Sequence, residues 1–596
     1  MAGIGFELRR MIDQRGGFLS KVRAYAAAGL ISSGPWLMTI LTLSLLNLLA
    51  PKLGVTERMD TFRTLVTYAF AFSLVLVGAG QMAITRRVAD LLYSKKYERV
   101  LPAFNASMLC VGVLAGLIAT VFCIVAEFSV ALSFVSISLF MIISLTWLAL
   151  TWLSVAREYD MVLRAYVYGT LISVGGIGFC LLTDETVGIL AAYTAGQAFT
   201  LVLLTRTIVR GMESGGRRDF TVLRALRSFP RLVGVGLFYN LAIWIDKMIF
   251  WFRAGEGPHP LLQYEPLYDT YCFLAYLTVV PALAVNLIRL ETSFYETYRE
   301  YYGAILAGTP LAYIEEKRNR MFETLQESTI RLLRVQGAIT VLVIVFAPVI
   351  TDWLELDSLA TRVFRLAALG AFFHVMLLLT ILMQMYFDLR AQAAGTSLVF
   401  LLLNGGLAWW SVERGEATWG VGYCAAAFLS LLLGYSLLHR SLERLDYLTF
   451  TGQPIDDGEV PLDDEEEVAA EKKRSAEAAD GMPEEDEDEE TDAEVAAPAE
   501  RPARDLPTFD PVVYPVPLRD VERIAARQMD RGPETPLDIL PDPFALQDSI
   551  DAFAIQTQTE IELLLPELET EPDDETRTWT GPEAGETETA PKVDME

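Results

Sequence analysis

An aspartate and a lysine stand side by side in an otherwise apolar and aromatic run, NLAIWIDKMIFWF, at residues 240–252. Asp246 and Lys247 could form an ion pair, and Asn240 lies seven residues before Lys247, which places both on one face of a helix. A lone charge near the centre of a bilayer costs about 3 kcal/mol, so such residues face a bundle interior or water. We therefore expect this polar face, to which Trp244 adds a ring, to be turned away from lipid.

Three interpretations of this face fit the residues. One is an interhelical ion pair that locks two spans, with the nearby rings forming an aromatic belt at the outer interface. Another is a polysaccharide contact inside an aqueous path, because rings stack on pyranoses while amides and charges bind hydroxyl groups. The third is an ion-coupling site. On the path interpretation Tyr271, in the segment that follows, also lines the path, and Asp246→Ala lowers secretion more than protein abundance.

The first apolar span carries a second unusual feature, in RAYAAAGLISSGPWLMTI at residues 23–40. Pro35 removes a helix hydrogen bond and kinks the helix. Kinks in transporters permit rocking and line cavities, whereas close packing through the small residues is the alternative. Ser33 and Pro35 are therefore candidates for the path or its gate.

Residues suited to catalysis or metal binding form no motif in this sequence. The three histidines are far apart, the five cysteines are scattered through apolar spans without a CxxC pair, and no GxxxxGK[ST] phosphate loop is present. We expect no catalytic residue, no metal, no cofactor and no nucleic-acid partner. The sequence favours a transporter over an enzyme.

Two parts of the chain differ sharply in composition. Hydrophobic residues make up 52% of the chain, yet its formal charge is −28. Residues 451–596 contain 44 acidic and 11 basic residues, whereas residues 1–450 contain 32 acidic and 37 basic residues. Carboxylate runs such as EEDEDEE cannot bury a core. The pattern predicts a slightly basic, apolar body followed by a disordered acidic tail.

The body contains twelve apolar runs of about 18–25 residues, the length that crosses a hydrocarbon core of about 30 Å as a helix. Lys and Arg are concentrated in alternate connections, beginning with the N-terminal segment, and basic connections stay in the cytoplasm. The pattern predicts an all-α integral membrane protein with both termini cytoplasmic. The predicted spans begin near Ala24, Leu65, Ala103, Phe128, Met161, Val187, Leu232, Tyr268, Ile339, Leu366, Gly395 and Val421.

Six predicted spans precede the long basic connection 206–231 and six follow it, which is the arrangement of two-lobed transporters. The predicted organisation is a cytoplasmic amphipathic N-terminus (1–22), an N-lobe of six transmembrane helices (23–210), an inter-lobe cytoplasmic loop (211–230), a C-lobe of six transmembrane helices (231–450) and the acidic disordered cytoplasmic tail (451–596).

The C-lobe also contains a polar segment, about 289–334, that is strongly helical but too polar to cross a membrane. Its break at Gly308–Pro310 predicts a cytoplasmic helical hairpin, in which Thr309 caps the second arm and Pro310 takes the first helical position. An aromatic stripe runs along the first arm. The stripe either packs between the two arms or forms a docking face for a partner; its members are Phe294, Tyr298 and Tyr301.

Four stretches carry a resemblance to a known family: MAGIGFELRR, AYAAAGLISSGPW, DKMIFWF and IRLETSFYETYREYYGAI. They resemble the PelG family, inner-membrane exporters of the Pel exopolysaccharide within the multidrug/oligosaccharidyl-lipid/polysaccharide flippase superfamily. The resemblance covers roughly residues 1–450, so the acidic tail departs from the family pattern. It implies a twelve-span exporter in the bacterial inner membrane, and it makes the matching residues Asp246, Lys247, Arg289 and Glu291 candidates for the path or gate.

The resemblance also implies a substrate and partners. The substrate is a growing polymer of galactosamine and N-acetylgalactosamine that supports a biofilm matrix. The implied partners are a cytoplasmic glycosyltransferase and further Pel-type inner-membrane subunits, one of them a cyclic di-GMP receptor. The alternatives are a multidrug or lipid-linked oligosaccharide antiporter or flippase of the same superfamily, and a membrane scaffold for the synthase.

Overall fold

The structure is a computed structural model that describes most of the apolar body. The predicted amphipathic N-terminus, most of the first span with Ser33 and Pro35, and the acidic tail beyond Thr451 lie outside the described residues. The described residues are Thr39, Thr42, 56–94, 96–156, 159–180, 186–212, 218–353 and 358–451.

Long helices dominate the first half of the described chain. After them, a 3-10 turn over Phe220–Leu223 and a short helix lead into the seventh helix, and Asp219 caps the turn by accepting from the backbone amide of Thr221. The helices are α1 (Thr56–Tyr93), α2 (Val100–Val125), α3 (Val130–Ala156), α4 (Tyr159–Cys180), α5 (Thr186–Arg210), α6 (Arg224–Ser228) and α7 (Pro230–Arg253).

The second half is helical as well, with one small sheet. Two short antiparallel strands, β1 (Glu256–His259) and β2 (Leu262–Tyr264), follow α7. A five-residue π-helical turn, Leu290–Phe294, joins two of the later helices without a break. The helices are α8 (Pro266–Leu277), α9 (Val280–Arg289), α10 (Tyr295–Leu306), α11 (Leu311–Trp353), α12 (Ser358–Tyr386), α13 (Arg390–Arg414), α14 (Val421–Leu442) and α15 (Leu445–Thr451).

Ten segments of the described chain are long and apolar enough to cross a membrane. The predicted all-α membrane class is therefore confirmed, and the chain is a multi-pass membrane protein. The count of twelve spans stays a prediction. The span predicted near Met161 corresponds to helix α4, which is not among the ten, and the span predicted near Ala24 lies outside the described residues apart from Thr39 and Thr42.

Helix packing divides into two sets of contacts. In the first set, α3 packs on α1, α2 and α5, and α4 packs on α5. In the second, α13 packs on α7 and α14, and α12 packs on α11 and α14. The contact between α1 and α7 joins the two sets. The division into two lobes of six spans stays a prediction.

The helical hairpin predicted at about 289–334 corresponds to α10, a turn and the first half of α11. Gly308 occupies the turn with a φ of +63°, a backbone conformation that glycine adopts without steric cost. Thr309 does not cap the second arm as predicted. Its hydroxyl instead donates to the carbonyl of Ala304 at the end of α10, at 2.9 Å. Pro310 takes the cap position instead, and its carbonyl accepts from the amide of Ile314.

The aromatic stripe of the hairpin is buried against the end of α12. Phe294 and Tyr298 lie 5.5 and 6.0 Å from Tyr386, measured between ring centroids. The Tyr301 hydroxyl donates to Asp446 on α15 at 3.1 Å. Neither predicted interpretation describes this packing fully, since the stripe contacts further helices as well as the second arm.

Candidate functional site

Asp246 and Lys247 lie in the last third of α7 and are both fully buried, with exposed fractions of 0% and 1%. The lysine Nζ donates to both carboxylate oxygens of Asp246, at 3.0 and 2.9 Å, and to the carbonyl of Ile243 at 3.1 Å. The ion pair therefore forms between neighbours on one helix. It differs from an interhelical pair, since no second helix supplies either charge.

Tyrosines from two other helices complete the surroundings of this pair. The Tyr268 hydroxyl donates to Asp246 Oδ2 at 2.8 Å, and Lys247 Nζ donates to the Tyr276 hydroxyl at 3.0 Å. Lys247 Nζ also lies 5.0 and 5.5 Å from the ring centroids of Tyr276 and Tyr423, within cation–π range. The pair thus fastens α7 to α8 and α14 with its charges satisfied.

His374 on α12 extends this network. Its Nε2 lies 3.1 Å from the hydroxyl of Tyr239 on α7, and its Nδ1 lies 2.9 Å from the hydroxyl of Tyr423 on α14. The imidazole therefore links three helices through two hydrogen bonds. Sequence reasoning missed this residue, because His374 belongs to no metal-binding motif and its tyrosine partners are distant in the chain.

Aromatic stacking closes the network toward the end of α7. The rings of Phe250 and Tyr268 are parallel, with an interplanar angle of 3° and centroids 3.7 Å apart. The Trp419 ring meets Phe250 edge-on at 5.0 Å. These contacts orient the Tyr268 hydroxyl toward Asp246 and shield the carboxylate from solvent.

Nearer its start, α7 meets α1 at a very close approach. A Cβ built on Gly236 would lie 2.0 Å from the carbonyl oxygen of Gly78, so this crossing requires glycine. Asn240 packs over Gly78 and donates through Nδ2 to the Gly236 carbonyl at 2.7 Å. Trp244, one turn further along α7, packs on the rings of Trp251 and Phe273.

A second buried carboxylate lies near the end of this α1–α7 contact. Asp269 Oδ2 accepts from Trp251 Nε1 at 2.7 Å, and the Trp251 ring stacks on Tyr68 of α1 with centroids 4.8 Å apart. The Tyr68 hydroxyl donates to the carbonyl of Gln263 in β2 at 2.9 Å. The small sheet is thereby fixed to α1.

The structure brings together only some of the predicted site residues. Asp246 and Lys247 contact each other, whereas Asn240 faces α1. Tyr271 is buried elsewhere and lies beside Phe364, with centroids 6.2 Å apart. The remaining predicted residues are Trp244, which packs with Trp251 and Phe273; Arg289, which is half-buried in the last turn of α9; Glu291, in the π-helical turn with its side chain outside what is described; and Ser33 and Pro35, outside the described residues.

The buried polar groups of this site form hydrogen bonds and an ion pair among themselves. No cluster of three His, Cys, Asp or Glu side chains that could hold a metal ion occurs in that part of the chain. The charges of Asp246 and Lys247 neutralise each other, and the histidine beside them contacts only hydroxyl groups through its nitrogens.

The sequence matches the PelG family, described as "Putative exopolysaccharide Exporter (EPS-E)", over residues 1–450. The chain belongs to the PelG family. The match includes every described residue except Thr451, and it ends where the acidic tail begins. As a PelG-family member, the chain is a membrane exporter. No match was found among curated proteins.

Solved structures of several transporters share a distant likeness with this PelG-family chain. A MATE transporter in its straight conformation is 13% identical, with a TM-score of 0.44 over 75% of this chain and 95% of the other. An inward-facing multidrug resistance MATE family transporter of the MOP superfamily is 11% identical, with a TM-score of 0.46 over 75% and 99%. A MOP superfamily transporter from Pyrococcus furiosus is 13% identical, with a TM-score of 0.40 over 75% and 94%.

Proposed function

We propose that this protein exports a growing Pel-like exopolysaccharide, a polymer of galactosamine and N-acetylgalactosamine, across the bacterial inner membrane. The observation that carries the proposal is the match to the PelG family over residues 1–450. Export of this polymer supports formation of a biofilm matrix.

In this proposal the polymer passes along the contact between α1 and α7. That contact joins the two sets of packed helices, so a path between them opens only if α1 and α7 separate. Asn240 and Trp244 lie on α7 near this contact and offer an amide and a ring to a sugar. The tight approach of Gly78 to Gly236 supports a path that is closed while these two helices are in contact.

The Asp246–Lys247 pair has a supporting role in the same proposal. Both side chains are buried among tyrosines of α8 and α14, so they hold α7 in place and do not touch the polymer. Tyr271, Arg289 and Glu291 lie on the segments that continue from α8 into the cytoplasmic hairpin, and we assign them to the gate. The burial of the pair supports this division of roles.

The exporter works, in this proposal, within a synthase complex. In this proposal both termini and the hairpin lie in the cytoplasm, because Lys and Arg are concentrated in alternate connections and basic connections stay on that side. A cytoplasmic glycosyltransferase delivers the polymer, and further inner-membrane subunits, one of which binds cyclic di-GMP, complete the complex.

The test is a secretion assay in a strain from which the gene is deleted, with and without a plasmid that supplies the wild-type chain. We expect secreted hexosamine polymer with the wild-type chain and accumulation inside the cell without it. In parallel, the protein is purified from its native membrane, and co-purification of a glycosyltransferase and a cyclic-dinucleotide receptor is scored by mass spectrometry. Unchanged secretion after deletion, with loss of drug or lipid-linked oligosaccharide transport, would favour the alternative substrates.

A further inference from the structure

The connection between α5 and α7 presents an excess of positive charge. Residues 206–231 contain seven basic and two acidic residues. The structure describes six of the seven arginines, and all six are exposed. We refer to these six as the arginine surface; they are Arg206, Arg210, Arg218, Arg224, Arg227 and Arg231.

The ion pairs of the described residues leave most of this surface available. None of them involves Arg206, Arg210, Arg218, Arg227 or Arg231. Exposed guanidinium groups without a carboxylate partner are strong sites for an anionic ligand, because each can form paired hydrogen bonds to a carboxylate.

The helical hairpin differs, although it has the same number of basic residues. Residues 289–334 contain seven basic and seven acidic residues. Lys317 and Arg320 share Glu300, at 3.1 and 3.4 Å, and Arg318 pairs with Asp446. The hairpin therefore has no net charge to attract an acidic ligand.

The acidic part of this same chain begins close to the arginine surface. Gly234 near the start of α7 packs beside Ala394 near the start of α13. Gln392, also at the start of α13, donates to the Ser441 hydroxyl at the end of α14, at 2.7 Å. The starts of α7 and α13 and the end of α14 thus lie at one end of the helices, so the chain leaves Thr451 on the side of the arginine surface.

The sequence beyond Thr451 supplies the matching charge. Residues 452–500, the acidic segment, contain 21 acidic and three basic residues, including the runs 463–467 and 484–490. The first run begins twelve residues after Thr451, a length that spans up to about 40 Å when extended. The family match ends at residue 450, so the acidic segment is an addition to the exporter body.

We propose that the acidic segment binds the arginine surface of its own chain. The bound segment covers the connection between α5 and α7 and competes with any anionic partner for the same guanidinium groups. The interaction rests on exposed charges, so it weakens as ionic strength rises. It does not depend on which polymer the protein exports.

The experiment places a photo-reactive amino acid, p-benzoylphenylalanine, at position 482 between the two acidic runs of the full-length protein. The protein is reconstituted in phosphatidylcholine nanodiscs, and crosslinked peptides are mapped by mass spectrometry. We expect crosslinks to residues 206–231 of the same chain, with a yield that falls about fivefold between about 0.05 M and about 0.5 M salt.

Two matched triple variants test the surface itself. Arg210→Gln, Arg227→Gln and Arg231→Gln together should reduce the crosslink yield about fivefold. Arg299→Gln, Arg331→Gln and Arg334→Gln remove the same charge from exposed hairpin positions and should leave the yield unchanged. If a triple variant does not fold, the fall in crosslink yield with salt in the protein with unaltered arginines still tests the proposal.

Several outcomes would overturn the proposal. Crosslinks to lipid alone, to the hairpin or to nothing would show that the arginine surface is not the binding site. Crosslinks between isotopically distinct chains would show binding in trans. Loss of the crosslinks on adding phosphatidylglycerol to the nanodiscs would show that anionic lipid headgroups occupy the surface instead.

Discussion

At the scale of single residues, the two charges of α7 are stable in an apolar interior because each one has partners. Asp246 accepts from Lys247 and Tyr268, and Lys247 also donates to Tyr276 and to the Ile243 carbonyl. Removing one partner of a buried pair costs about 3–5 kcal/mol, whereas replacing both can be nearly neutral. The pair is therefore best tested by single and double replacement.

Lys247→Met should lower the free energy of unfolding by about 3–5 kcal/mol, because it leaves the Asp246 carboxylate buried without its counter-charge. Asp246→Asn combined with Lys247→Met should cost clearly less than the sum of the two single changes. Thermal unfolding of the purified protein and its abundance in the membrane are the measurements. The path interpretation instead predicts that Asp246→Ala lowers secretion while the abundance of the protein in the membrane stays normal. That result would contradict a purely supporting role for the pair.

Tyr268→Phe should cost about 1.5–3 kcal/mol, because it removes a hydrogen bond to a charged group and keeps the stacked ring on Phe250. Tyr435→Phe is the matched control, since Tyr435 is 56% exposed, and it should change stability by less than about 0.5 kcal/mol. Equal effects of the two changes in a thermal unfolding series would show that the Tyr268 hydroxyl is not needed by Asp246.

The sequence predicted the unusual polar face of α7 but not its partners. Asp246 and Lys247 are conspicuous because their neighbours are apolar, and that contrast is visible in a local window. Tyr276 and Tyr423 are not conspicuous, because the chain contains 23 tyrosines, and His374 belongs to no metal-binding motif. Which of them meets Lys247 depends on helix packing, which no local pattern encodes.

At the scale of the elements, the crossing of α1 and α7 is set by two glycines and one asparagine. A Cβ on Gly78 would lie 2.2 Å from Asn240 Nδ2 and 3.1 Å from Asn240 Cβ. The shorter distance requires the Asn240 side chain to shift, so a larger side chain at this position of α1 disturbs the crossing.

Gly78→Ala should therefore push α1 and α7 apart and lower the free energy of unfolding by about 1–3 kcal/mol. Asn240→Ala added to the Gly78→Ala protein should restore part of the stability, because it removes the two Asn240 atoms nearest to the new methyl group, Nδ2 and Cγ. Gly175→Ala is the matched control, since a Cβ there meets nothing within 4 Å. Thermal unfolding measures these changes. If the losses of stability from Gly78→Ala and Asn240→Ala simply add in the double variant, this description of the crossing is wrong.

The hairpin depends more on its buried rings than on its ion pairs. Phe294 is fully buried against Tyr386 and Phe387, so Phe294→Ala should cost about 3–5 kcal/mol. Arg318→Gln breaks a partly exposed bridge to Asp446 and should cost less than about 1 kcal/mol. Limited proteolysis between α10 and α11 measures both effects, and faster cleavage of the arginine variant would reverse the ranking.

Element positions were predictable where one physical requirement dominates. A hydrocarbon core accepts only long apolar helices, so predicted spans near Leu65, Ala103 and Val421 correspond to α1, α2 and α14. The small sheet β1–β2 was not predicted, because EGPH and LQY carry no strand pattern and the Tyr68 contact that holds them is distant in sequence. Thr309 was assigned to the wrong helix for a similar reason, since a hydroxyl can serve either neighbour.

At the scale of the whole molecule, the apolar body and the acidic tail differ in what they can add to a hydrophobic core. Among the described residues, the buried members of the hydrophobic clusters lie between Met59 and Leu445. The tail follows Thr451, and its acidic runs have no apolar periodicity that could add to those clusters.

A chain that ends at Thr451 should therefore insert into the membrane and unfold at a temperature within a few degrees of the full-length protein. Fractionation of cell membranes and thermal unfolding in detergent are the measurements. Loss of the truncated protein from the membrane would show that the tail supports the fold. The two-lobe organisation was predicted from span count and connection length.

The π-helical turn Leu290–Phe294 has a consequence for the evolution of this chain. Each residue of a helix advances the side chains by about 100° around the axis, so the wider turn sets the angular phase of α10 relative to α9. Losing one residue there would rotate Phe294, Tyr298 and Tyr301 out of alignment with the end of α12. Insertions and deletions should therefore be rarer in this five-residue turn than in the connection after α5.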